Sequence, residues 1–221
     1  MKKLFLNFVI VLFSALTAFG QNEKYQTAVK AGVDELIGAQ SPSDFIAAAN
    51  TFTRIAAAEP NEWLPGYYAA YAQLIAGFQW MGDDNNQAQQ YFDEAQKTLS
   101  NVAARAITPA DRSELAVLQA YIFIGKLTED PMTKGQEMSP KIFELLGTAS
   151  ALNPDNPRAA YIQGLFTLNM PEFYGGGPKN ARPHLEKAKG LYEKETSDGM
   201  RPFWGKTQNE TLLAGVISAE K

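Results

Sequence analysis

One apolar spacing recurs four times along this chain, as Ala48-Phe52-Ile55, Ala88-Phe92-Ala95, Ile142-Leu146-Ala149 and Ala181-Leu185-Ala188. Each copy has a small or branched residue, a large one four positions later and a small or branched one three after that. Positions four and seven apart share one face of a helix. Pro60 and Pro154 follow the first and third copies by five residues, where they would end a helix. The pattern is that of the second helix in a helix-turn-helix repeat: small residues let a neighbour approach and the large one fills the gap. Stacked repeats of this kind present long concave faces and work as binding surfaces more often than as catalysts.

The first twenty residues stand apart. Lys2 and Lys3 precede an apolar run from Leu4 to Phe13, and Ala18-Phe19-Gly20 supplies small residues where signal peptidase reads. Residues 1–20 are therefore expected to be a secretory signal peptide, and residues 21–221 one domain. The chain has no cysteine, which excludes a lipid-attachment site, disulfides and thiol chemistry. The expected location is the bacterial periplasm or beyond. Without Lys2 and Lys3 the remainder carries 18 basic and 24 acidic residues, a net charge of −6. That acidity, with no basic run, argues against nucleic acid as a partner.

Helix starts are marked repeatedly. Ser41-Pro42-Ser43-Asp44 and Thr108-Pro109-Ala110-Asp111 each combine a capping hydroxyl, an early proline and an acid, and Thr207-Gln208-Asn209-Glu210 reads as a capping box. Ser139-Pro140 and Asn156-Pro157 give two more starts. Helical periodicity follows Tyr25 to Ile37 and then Phe45–Ala58, Trp63–Trp80, Asn86–Val102, Pro109–Lys126, Pro140–Leu152, Pro157–Leu168, Ala181–Glu195 and Thr207–Ala219. The first residues of the four copies fall at 48, 88, 142 and 181, so the repeat spacings of 40, 54 and 39 are irregular. The extra residues are expected in loops at 81–85, 127–139 and 169–180. The predicted fold is all-α: a right-handed α-solenoid of about four irregular helix pairs with a C-terminal capping helix.

The segment Asn153-Pro154-Asp155-Asn156-Pro157-Arg158-Ala159-Ala160-Tyr161-Ile162-Gln163-Gly164 resembles a junction between two tetratricopeptide repeats, and Ala181, Leu185 and Ala188 match the second-helix anchors of that repeat. Over residues 23–221 the chain is similar to a bacterial group of exported tetratricopeptide-like proteins with about four irregular repeats and one Gly-rich loop. In such stacks the first helix of each pair lines the concave groove. Placing the close-contact position at Ala70, Ala120 and Gly164 directs Tyr67, Tyr71, Tyr121 and Tyr161 to that groove, flanked by Glu114 and Arg158. Tyrosine offers a rigid apolar body with a hydrogen-bonding tip, suited to a peptide or a ring-containing ligand. The competing reading makes these tyrosines core residues whose hydroxyls reach the edge.

Two further stretches stand out. Pro171-Glu172-Phe173-Tyr174-Gly175-Gly176-Gly177-Pro178 lacks the preceding strand and the Lys-Ser/Thr of a phosphate-binding loop, so Gly175, Gly176 and Gly177 are expected to permit a tight crossing while Phe173 and Tyr174 tuck into the stack. Phe203 and Trp204 are read either as exposed partner anchors or, with more weight, as the staple that docks the last helix. His184 is the only histidine, so neither a multi-histidine metal site nor a serine triad with a nucleophile elbow is available. No catalytic residue, metal or cofactor is expected. The leading functional expectation is a non-catalytic scaffold that binds a protein or peptide in the groove. The alternative is a periplasmic carrier of a small molecule.

Overall fold

The repeated pattern is the buried seam of the fold. In the computed structural model, which describes residues 23–219, eleven of its twelve side chains are fully buried, and only Ile55 is partly exposed. The chain forms helices throughout, with no strand among the described residues. Helix α1 runs over 23–38, followed by α2 (Pro42–Ala58), α3 (Leu64–Trp80), α4 (Asn85–Val102), α5 (Pro109–Leu127), α6 (Pro131–Leu152), α7 (Pro157–Asn169), α8 (Pro178–Tyr192) and α9 (Lys206–Ala219). Two short 3-10 turns, Ala103–Arg105 and Glu172–Tyr174, interrupt the connections. Residues 1–20, read as a signal peptide, lie outside the described residues.

The predicted caps explain most helix starts. Ser41 and Asp44 form a reciprocal capping box on α2, and Thr108 and Asp111 form one on α5. The Asn156 side chain accepts from the Arg158 N–H at α7, and that of Asp84 from the Gln87 N–H at α4. Three starts differ from expectation. Helix α6 begins at Pro131, nine residues before Pro140, because Asp130 caps the Thr133 N–H with a proline at the first helical position. Pro140 is then an interior residue, and most of the expected loop 127–139 is helix. Helix α8 starts at Pro178 and ends at Tyr192 rather than spanning 181–195. Helix α9 starts at Lys206, so Thr207 lies inside it and does not cap it.

Glycines set the helix spacing. A Cβ on Gly77 of α3 would lie 2.5 Å from the Phe92 ring, and one on Gly164 of α7 would lie 2.6 Å from Leu185. Gly32 of α1 stands in the same relation to Phe52, at 2.9 Å. The large middle residue of each pattern copy thus packs on bare backbone of the preceding helix, except at Leu146. This shifts the register expected from sequence: Gly77, not Ala70, plays on α3 the part that Gly164 plays on α7. Sequence neighbours pack together along the chain, and α5 also touches both α3 and α7, so that the three form an inner layer.

Gly77→Ala is expected to destabilise the protein by about 1–3 kcal/mol, because Phe92 must give way in a close-packed core. Gly147→Ala, in α6 with open space at the Cβ position, is expected to stabilise it by about 0.4–1 kcal/mol. Thermal unfolding followed by circular dichroism checks both, and equal effects would refute the glycine-spacing account.

Candidate ligand-binding groove

Side-by-side packing of α3, α5 and α7 brings the tyrosines together. Tyr67 and Tyr71 come from α3, Glu114 and Tyr121 from α5, and Arg158 and Tyr161 from α7. The chain itself then enters this assembly. After α8, residues 193–205 run back as a strap and deliver Trp204 into the tyrosine column. The Trp204 ring stacks on Tyr71 at 4.7 Å between centroids with 25° between planes, and on Tyr121 at 6.0 Å with 22°. Tyr161 meets it edge-on at 6.4 Å. Phe78 continues the row beyond Tyr121 at 5.0 Å. Gly205, at φ +97°, makes the turn into α9, and a Cβ there would collide with the Tyr192 hydroxyl.

The strap is tied down by groups from several helices. The Tyr68 hydroxyl donates to the Met200 carbonyl at 2.7 Å, and the Tyr192 hydroxyl to the Trp204 carbonyl at 3.0 Å. Arg201 pairs with Asp111 at 2.9 Å, and the Trp204 indole N–H donates to the Tyr67 hydroxyl at 2.8 Å. Tyr67 in turn faces Glu114 at 3.3 Å. Below the ring lies a buried charge cluster. Arg158, 4% exposed, donates to both Glu114 oxygens from Nε and Nη2 at 2.9–3.1 Å, and to Glu195 at 2.6 Å. Its guanidinium stands 5.8 Å from the Trp204 ring centroid, and its Nη1 has no hydrogen-bond partner.

Burial raises the pKa of every tyrosine around the strap: Tyr161 is pushed up to about 12, and Tyr67, Tyr68, Tyr71, Tyr121 and Tyr192 are likewise raised well above the ordinary phenol value. These rings are neutral phenols at physiological pH. Glu114 reinforces the shift at Tyr67. For Arg158, burial opposes the charge, but the two carboxylates prevail and hold it protonated.

The six expected groove residues therefore do converge, and the chain's own strap lies against them. Tyr67, Tyr71, Glu114, Arg158 and Tyr161 are buried, and Tyr121 is partly so. Their contacts are mostly with one another and with the strap. Trp204 is not an exposed anchor, because its ring is inserted between tyrosines, whereas Phe203 beside it stays exposed. Phe173 and Tyr174 do not tuck into the stack: they are 79% and 63% exposed, with ring centroids 4.0 Å apart. Their turn is nevertheless well ordered by backbone bonds, from Gly175 N–H to Glu172, Gly176 N–H to Pro171 and Gly177 N–H to Thr167. Gly175 and Gly177 have positive φ, and a Cβ on Gly176 would collide with the Met170 carbonyl. Tight crossing is thus the reason for the glycines, and display of two aromatic rings is its result.

Sequence reasoning missed Glu195, Tyr68, Phe78 and the Arg201–Asp111 pair. Positions 195 and 201 are about forty and ninety residues from their partners, and no local spacing connects them. Phe78 could have been found, since it lies seven residues after Tyr71 on the same helical face. On α7, Leu165 and Leu168 continue the face of Tyr161 in the same way and are half-buried. The half-exposed part of the groove thus runs from Trp204 through Tyr121 and Phe78, with Leu165 and Leu168 on the neighbouring helix. His184 lies outside this set, on α8, and partial burial lowers its pKa, helped by Lys187.

No protein-family model matches the sequence, and no curated protein does. Among solved structures, the chain is similar to the HusA haemophore from Porphyromonas gingivalis, with 28% identity, a TM-score of 0.77 and coverage of 89% of this chain and 94% of that one.

Glu114→Ala is expected to cost about 3–5 kcal/mol, since it strips the main partner from a buried guanidinium; a loss below 1 kcal/mol in denaturant unfolding would show that the cluster is not integral to the fold. A second expectation concerns alkali. Folded-state tyrosine pKa values lie above the unfolded value of about 10, so below pH 10 both states keep the proton and these groups add no pH dependence. Above it the unfolded chain ionises first and stability falls. Phenolate absorbance and loss of helical circular dichroism should therefore rise together, and early ionisation of most tyrosines in a folded chain would contradict their burial.

Proposed function

We propose that this chain is an exported, non-catalytic carrier of a flat conjugated small molecule of the haem type, held against the aromatic groove. The observation that carries the reading is similarity to a haemophore across nearly the whole length of both chains. The groove chemistry is consistent with it. The aromatic side chains Tyr71, Tyr121 and Phe78, which follow one another along the groove, supply the apolar faces that a porphyrin plane would stack against. The peptide-scaffold reading is less well supported, because the strap already lies where an external peptide backbone would need to run. The tetratricopeptide-like class and secretion through residues 1–20 belong to the same proposal. No described helix is long and apolar enough to cross a membrane.

Recognition by ring faces has a consequence. The single histidine, on α8, is not among the residues that line the groove, and the groove tyrosines are held as neutral phenols. Binding should therefore depend little on iron. The test is titration of the protein with ferric protoporphyrin IX and, separately, with metal-free protoporphyrin IX, followed by Soret absorbance. Saturable binding of both at one equivalent, with dissociation constants within about threefold, or about 0.7 kcal/mol, is expected. Absence of saturable change with either would sink the carrier reading. Binding of the ferric form alone would replace stacking with metal ligation.

A further inference from the structure

The groove described above is occupied by the protein's own tryptophan. We propose that the gap between Tyr71 and Tyr121 is a slot for one flat conjugated ring system, and that Trp204 is its resident occupant, which the ligand displaces. This deepens the haem-type reading and rests on it.

The walls and the occupant differ in how they are held. Tyr71, Tyr121 and Tyr161 project from three different helices of the inner layer, α3, α5 and α7, so the slot is preorganised. Trp204 projects from a non-helical strap bracketed by two left-handed glycines, Gly199 at φ +77° and Gly205 at φ +97°. Its planes lie 25° and 22° from those of its two stacking partners, the arrangement an intercalated ligand ring would adopt.

Removing the indole leaves the charge cluster intact. Arg158 keeps its bonds to Glu114 and Glu195, and Tyr67 keeps its contact with Glu114. What is lost is the indole bond to Tyr67, the aromatic ring contacts and the cation–π contact with Arg158. No buried charge becomes unpaired, which is the change that would have made displacement prohibitive. The strap main chain stays tied through Met200, Arg201 and the Trp204 carbonyl, so the motion is a swing of one side chain.

The cluster also defines which end of a ligand fits. Two carboxylates surround one guanidinium beneath the slot, so a ligand carboxylate placed there would meet net negative charge. The guanidinium faces the ring plane, and its Nη1 is free to donate to a neutral acceptor. The matching ligand is a broad conjugated ring with an apolar edge entering first and its acidic groups left outside.

Trp204→Ala tests this with metal-free protoporphyrin IX, after circular dichroism establishes that the variant is folded. An occupant competes with the ligand, so its removal should tighten binding about fivefold or more. Unchanged or weaker binding would overturn the proposal and make Trp204 part of the ligand platform. A second measurement uses the unaltered sequence labelled with 5-fluorotryptophan, with the Trp204 resonance assigned by Trp204→Phe. On saturation with the porphyrin that 19F signal should move to a solvent-exposed position and acquire a solvent isotope shift; a signal that stays buried overturns the proposal even if the alanine variant fails to fold. If neither the natural chain nor the variant binds the porphyrin, the haem-type reading itself fails, a result distinct from binding that Trp204→Ala weakens.

Discussion

Large side chains seated on bare helix backbone hold this fold in its spacing. Phe52 on Gly32, Phe92 on Gly77 and Gly125, and Leu185 on Gly164 each bring a second helix closer to a first helix than any side chain there would permit. Close approach within pairs allows α3, α5 and α7 to form one inner layer. That layer fixes the separation of Tyr71, Tyr121 and Tyr161, and hence the width of the gap between them. A single added methyl at Gly77 therefore bears on the groove as well as on stability, since dense cores transmit displacement.

Trp204 is where the two parts of the core meet. Apolar residues divide into two clusters, one built mainly from α1 to α5 and the other from α5 to α9, and both Tyr121 and Trp204 pack against each. A residue on a strap thus joins two halves of the core. Its aromatic neighbours are neutral, its polar edge is satisfied by Tyr67, and the guanidinium 5.8 Å from its ring centroid is also paired with two carboxylates. In the displacement we propose, one flat ring would replace another without exposing an unpaired charge.

The stretches that follow α1, α3, α5 and α7 have a different character: Ile37, Met81, Met132, Phe173 and Tyr174, in or beside them, are exposed. After α7 the Gly-rich turn is held by its own backbone bonds while its two aromatic rings stay exposed. Its rigidity comes from close approach at Gly176, not from burial of its aromatics.

Local chemistry in the sequence determined the helices, most of their caps and the buried seam, because hydroxyl-proline-acid starts and a four-three spacing act over one or two turns. It also placed the tyrosines of the first helices on one side. It did not reveal that α6 begins at Asp130-Pro131, since Ser139-Pro140 offered an equally good local start. The contents of the groove were decided by tertiary structure alone. Arg158 finds Glu195, Asp111 finds Arg201 and Tyr67 finds Trp204 across separations of 37, 90 and 137 residues. No local spacing encodes such meetings: they follow from how stacked helices return a distant strap to the tyrosines, where burying an indole and completing a charge cluster outweigh the entropy of ordering the chain between.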